Sequence, residues 1–334
     1  MSRIPITQVP GLLPQLRLHA SASYEPGSAL YVYEIVSTDL GMAASASNQT
    51  VTFFDRSTLQ ATGTLAHHKD QITQMRARPN SLLTSSLDGE IGIWDLRKPL
   101  SAPALGFSAG DALLSFDLGN DERMLVGGAQ LDEEMHLSRI RFWDTRGSSM
   151  QAVRVFESMH SDDVTQIHCG ARDGRVLSAS TDGLVCTFDP AQEEDDAVLA
   201  VANTGASVAR CGFFGPDEQY MYAQSDMETL QLWSDDATLL ADFGDVRAVA
   251  GSGVPVDYMA GFRYDIATQR LFMAAGTDAG DLHVFHVGAG LLEHAQVLAG
   301  GHSAIVRAFD WDAHTGWAAT GGEDGRLSVW AATQ

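Results

Sequence analysis

Cysteine is scarce in this chain: three in 334 residues, at positions 169, 186 and 211. Their number is odd and no CxxC pair occurs, so neither a disulfide framework nor a thiolate metal site is expected, and a reducing compartment fits. Positive charge is scarce as well. Lys and Arg number 21 against 43 Asp and Glu, for a net charge of −22 and a pI near 4.6. The longest basic run is Arg97-Lys98. Nucleic acids and anionic lipid surfaces are bound through clustered Lys and Arg, so neither is expected as a direct ligand. A basic protein is the better electrostatic match. No apolar run approaches the roughly 20 residues that span a bilayer. Prolines at 5, 10 and 14 interrupt the N-terminal segment, which does not read as a signal peptide. The expectation is a soluble cytoplasmic or nuclear protein, reaching the nucleus by diffusion or with a partner.

What the chain does have is a repeat. An aromatic residue closes a short β-like run at Phe54-Asp55, Trp94-Asp95, Trp143-Asp144, Phe188-Asp189, Trp233-Ser234, Phe285-His286 and Trp330-Ala331, at intervals of 40 to 52 residues. The residues one and three positions before each aromatic are apolar in six of the seven; Thr187 with Val185 is the partial exception. Period-two spacing of this kind puts those side chains on one face of a strand. Upstream lie glycine turns that follow a second strand: LLTSSLDG (82–89), VLSASTDG (176–183), LFMAAGTDAGD (271–281) and WAATGGEDG (317–325). Each reads as strand, tight turn, strand.

A period of 40–45 residues with His near its start and Trp-Asp near its end marks a four-stranded propeller blade. On these residues the chain resembles the WD40 repeat family. Segments such as FWDTRG (142–147), HSDDVTQI (160–167), DYMAGFRYD (257–265) and TGGEDGRLSVW (320–330) are similar to one subfamily of it. The resemblance implies an all-β fold, a single seven-bladed WD40 β-propeller closed by an N-terminal strand that completes the last blade. The expected boundaries are 31–64, 68–107, 112–157, 160–202, 206–242, 256–298 and 302–330 for blades 1 to 7, with 15–21 as the outer strand of blade 7. Closure removes the open sheet edges that template aggregation.

In WD40 proteins the His, Ser/Thr, Asp and Trp of a repeat form a buried hydrogen-bond chain. The resemblance assigns that structural role to His68, Thr84, Asp88 and Trp94, to His160, Ser178 and Asp182, and to His302, Thr320, Asp324 and Trp330. Phe188 stands where blade 4 would carry Trp, so its chain lacks the last link. Repetition around a ring suits architecture better than one active site. No HExxH or His/Cys quartet occurs among the 11 histidines; His67-His68 would face opposite ways on a strand, and His283 and His286 are three apart. Gly251-Ser252-Gly253 and Gly288-Ala289-Gly290 read as loops, not phosphate cradles. No catalytic, metal-binding or cofactor-binding residue is expected, and no cofactor.

Acidic clusters are the informative surface feature. In a WD40 propeller the d–a and b–c connections share one face and the a–b and c–d connections the other. The resemblance thus places Asp162-Asp163, Asp132-Glu133-Glu134, Asp226 and Glu228 on the first face. Asp121-Glu122, residues 193–196, Asp217-Glu218 and Asp235-Asp236 fall on the second. All come from blades 3 to 5. The expected function is a non-enzymatic interaction module, monomeric on its own, that escorts or scaffolds a basic protein such as a ribosomal protein or histone. Glu133, Glu134, Asp162, Asp163, Asp226 and Glu228 are the expected acidic contacts, with Tyr258 as an aromatic anchor. The alternative is a substrate receptor of a cullin-four ubiquitin ligase. It uses the WDxR motifs at Trp94–Arg97 and Trp143–Arg146, although pairing of Arg97 and Arg146 with nearby acids explains them more simply.

Overall fold

In the computed structural model, each repeat folds as a four-stranded antiparallel meander, and seven such sheets form a β-propeller. All residues are described except 1–4, 10, 26, 29, 148–149, 251–252, 313–315 and 333–334. The innermost strands of blades 1 to 7 are Val32–Thr38, Ile72–Arg78, Leu113–Leu118, Val164–Cys169, Val208–Phe214, Tyr258–Asp265 and Val306–Asp312. The outermost are Ala61–Leu65, Leu105–Ser108, Arg154–His160, Val198–Asn203, Leu239–Asp245, Leu291–Leu298 and, from the N-terminal segment, Leu16–Ser23. That last strand runs antiparallel to Arg326–Ala332, so residues about 300 apart in sequence close the circle.

Alternating apolar side chains fill the wedges between blades. Between blades 3 and 4, Phe142, Phe156 and Phe188 meet with centroids 4.8 to 6.3 Å apart, among Val126, Ile140, Val164 and Ile167. Each such side chain gains about 2 to 3 kcal/mol on leaving water. The Asp-Gly turns of blades 2, 4 and 7 need the left-handed backbone that glycine adopts freely: Gly89, Gly183 and Gly325 have φ of 80°, 88° and 68°. A Cβ at Gly325 would also sit 2.6 Å from the carbonyl oxygen of Leu30.

Two features go beyond the sequence reading. Ile6–Gln8 adds a parallel fifth strand to blade 6 alongside Leu292–His294. Three residues are too few for alternation to show, so this strand had no sequence signal. Second, all seven inner strands carry a register shift near their start, between Val32/Glu34, Ile72/Gln74, Leu113/Ser115, Val164/Gln166, Val208/Arg210, Met259/Gly261 and Val306/Ala308. A bulge re-aims the residue that follows it. In blades 1, 2, 3 and 5 the residue after it, Glu34, Gln74, Ser115 and Arg210, bonds the backbone of the next blade's inner strand.

Candidate functional site

The expected hydrogen-bond chains can be followed atom by atom. In blade 2, His68 Nδ1 lies 3.1 Å from Asp88 Oδ2, and His68 Nε2 lies 2.8 Å from Thr84 Oγ1. The Trp94 indole N–H donates to that same hydroxyl oxygen at 3.0 Å. An ionised Asp88 only accepts, so the proton sits on Nδ1, Nε2 accepts the Thr84 hydroxyl, and every member is satisfied in one direction. Burial pushes the Asp88 carboxyl up, but hydrogen bonds from His68 and the N–H groups of Lys69 and Glu90 outweigh it and hold it at about 2. Blade 7 repeats the chain with His302, Asp324, Thr320 and Trp330. In blade 4, His160 bonds Asp182 at 3.1 Å and Ser178 at 2.7 Å, and Phe188 supplies no N–H. These bonds join d–a connections to b–c turns, so the two share a face.

The inner strands surround a channel of about 890 Å³ lined by all seven blades. An innermost strand is a sheet edge, and its channel-side N–H groups need acceptors from elsewhere. Side chains of adjacent blades supply them. Glu34 accepts the N–H of Met75, Gln74 that of Phe116 at 2.8 Å, and Asp117 that of Cys169 at 2.9 Å. Asp310 accepts the N–H of Ser37 at 2.7 Å, and Glu228 that of Met259 at 2.7 Å. Burial raises the Glu34 carboxyl to about 7, against the opposing pull of Arg76 and the Met75 N–H. Part of the acidity that composition records is thus committed to joining blades.

On the face of the His-Asp chains, the predicted acidic contacts divide in two. Asp163 accepts the N–H of Leu131 at 2.7 Å, joining the b–c hairpin of blade 3 to the connection into blade 4, while Asp162 accepts the N–H of Asp163. Asp132 is drawn into a hub at Arg139, which also reaches Asp111 and Glu157. Glu228 has φ of 60° at the turn position where blades 2, 4 and 7 carry glycine, and its carboxylate is tied to Met259. Burial raises its pKa, with the Met259 N–H and Arg247 opposing. Glu133, Glu134 and Asp226 are exposed, and no partner to their carboxylates is found among the described residues.

Comparison with known proteins sets this geometry in a family. The family model described as "WD domain, G-beta repeat" matches residues 59–95 and 294–331. WD repeat-containing protein GTS1 of Arabidopsis thaliana is 30% identical over 326 residues, which cover 90% of this chain and 81% of that protein. The chain belongs to the WD40 repeat family. The WD repeat-containing protein 89 homolog of Dictyostelium discoideum is 28% identical over 308 residues, 90% of this chain and 82% of that one. Transcriptional corepressor LEUNIG_HOMOLOG of Arabidopsis thaliana is 24% identical over 293 residues, with only 33% of that protein covered. WD40 propellers generally act as non-catalytic scaffolds that bind protein partners.

Other residues singled out in this WD40 chain fall in less available places. The hydroxyl of Tyr258 accepts the N–H of Val306 at 2.6 Å, and burial pushes its pKa up to about 12. The hydroxyl is thereby tied to the junction of blades 6 and 7. Arg97 and Arg146 each make a bidentate contact with the Asp two residues earlier, Asp95 and Asp144, at 2.7 to 3.0 Å. Their side chains are exposed but already paired. His67 bonds Glu90 at 3.2 Å, and His286 bonds Glu293 at 2.6 Å. Among the described residues, no group of three or more His, Cys, Asp or Glu is placed to hold a metal ion. Gly288 ends a strand and Gly290 turns into the next, while Gly251 and Ser252 lie outside the described residues. Among the described residues, no helix is long and apolar enough to cross a membrane.

Proposed function

We propose that this WD40 propeller is an escort or assembly scaffold for a basic protein client, held at the face that carries the b–c hairpin of blade 3. The observation that carries this reading is the division among its carboxylates. Asp163 and Glu228 serve the fold, whereas Glu133, Glu134 and Asp226 face solvent without carboxylate partners among the described residues, on a body of net charge −22. Charge of one sign concentrated on a rigid ring speeds encounter with a partner of the other sign, and added salt weakens it. Asp162, half-buried beside Asp163, adds to the same field.

The test is reversal of the free carboxylates. A Glu133→Lys/Glu134→Lys/Asp226→Lys variant changes only exposed side chains, so its melting temperature should stay near that of the parent. Basic proteins retained from cell extract by the parent should be lost with the variant. Equal retention of the same basic proteins by both would reject this face as the docking surface.

A further inference from the structure

Most outer strands of the ring are polar or covered. Blade 6 is covered by Ile6–Gln8, blade 2 receives a hydrogen bond between the Ser108 N–H and the Met150 carbonyl, and the Ser158 N–H of blade 3 is accepted by Glu194 at 2.6 Å. The outer strand of blade 5, Leu239–Asp245, exposes Leu239 and Leu240 but carries Asp242 and Asp245. The outer strand of blade 4, Val198–Asn203, combines exposed apolar side chains with no charge. Its Val198, Leu199 and Val201 are 45%, 55% and 45% exposed. Among the described residues, no other segment pairs with its outward backbone. Natural edges of this kind are normally blunted by Lys, Pro or a cover, because bare N–H and C=O groups template further pairing. One extra residue, Leu199, bulges opposite Thr187 and Phe188 and leaves Ala200–Asn203 regular. A similar bulge in the outer strand of blade 6 does not prevent that blade from taking an added strand of only three residues.

Immediately before this edge comes the short acidic helix Glu194–Ala197, preceded by Glu193. Glu194 is engaged with Ser158 and Glu193 lies 3.9 Å from Arg154, while Asp195 and Asp196 are without side-chain partners among the described residues. We propose that Val198–Asn203 accepts an extended segment of a partner protein as a fifth strand of blade 4. Apolar side chains two residues apart in that segment pack over Leu199 and Val201, and Lys or Arg at one end lies beside Asp195 and Asp196. Main-chain hydrogen bonds supply affinity in such strand addition, and alternate side chains supply specificity. The basic character of the occupant rests on the client reading above; the availability of the edge does not. A second copy of this chain is disfavoured as occupant, since each copy carries −22.

The probe is a fluorescein-labelled ten-residue peptide of alternating Val and Lys, with a control in which alternate residues are Pro and cannot pair. Anisotropy titration and amide hydrogen exchange are read on the full chain. The expected result is binding of the first peptide only, with slowed exchange confined to the outer part of blade 4. Leu199→Lys/Val201→Lys should weaken binding at least about tenfold at an unchanged melting temperature, an effect of about 1.4 kcal/mol or more. The Glu133→Lys/Glu134→Lys/Asp226→Lys variant should bind the peptide as the parent does, which separates this edge from the client face. Absence of binding, protection elsewhere, equal binding by the Leu199/Val201 variant, or concentration-dependent protection of the edge without peptide would each overturn the proposal.

Discussion

The indole N–H of Trp94 and the hydroxyl oxygen of Thr84 are 3.0 Å apart, and the same oxygen lies 2.8 Å from His68 Nε2. One hydroxyl therefore holds two buried groups, Trp94 from the strand Glu90–Asp95 and His68 from the connection that enters blade 2. Where the hydroxyl is missing, the indole loses its acceptor. Gly127 and Ala223 occupy the registers of Thr84 in blades 3 and 5, and the N–H groups of Trp143 and Trp233 are buried without a partner among the described residues.

Thr84→Ala should cost more than Ser178→Ala. The first change strands both His68 and Trp94, for about 2 to 4 kcal/mol, whereas the second strands His160 alone, for about 1 to 2 kcal/mol. Denaturant unfolding of the two variants against the parent measures the difference. Equal losses would show that the Trp94 link contributes no stability.

Acid should loosen the fifth strand of blade 6. His294 Nδ1 lies 2.7 Å from Gln8 Oε1 and must donate to it, so His294 Nε2 accepts from His283 Nδ1 at 3.1 Å. This tautomer chain has no room for a proton between the rings. Burial, with His294 alongside, lowers His283 to about 4, and burial also lowers His294. Folded values below the unfolded value of about 6.5 mean that the unfolded chain binds protons first. Stability is complete above about 6.5 and falls as the pH drops toward about 4. His283→Gln should show a shallower loss of melting temperature between those pH values, and exchange at Leu292–His294 should accelerate with acid in the parent. A slope unchanged by the substitution would count against the pair.

Glu34 has the opposite sign. Its folded value of about 7 lies above that of an ordinary Glu, so its contribution is fully present below about 4.5 and lost as pH rises through about 7. Glu34→Gln keeps an oxygen acceptor for the Met75 N–H without the buried charge. It should stabilise the protein on the order of 1 to 3 kcal/mol at pH 8, with little effect at pH 4. Destabilisation at pH 8 would mean that the ionised group is needed by Arg76.

The architecture was legible because it is repeated. Trp94, Trp143 and Trp330 belong to a series of seven aromatics near strand ends, 40 to 52 residues apart, and the resemblance built on that series carried the seven-bladed ring and the N-terminal closing strand. The bulges were illegible, since Glu34, Gln74 and Arg210 share a register but no residue type. Composition reports how many carboxylates there are and not what each one touches. Hence Glu133 and Glu228 were indistinguishable in sequence, although one faces solvent and the other accepts the N–H of Met259. Tyr258 is a like case: a tyrosine after a loop reads alike whether its hydroxyl is free or bound to Val306.

The most direct test of charge-driven client binding is capture from cell extract at low and at high ionic strength, with the retained proteins identified by mass spectrometry. A single dominant, strongly basic protein that salt releases is the predicted result. Several neutral proteins held equally well in high salt would contradict it.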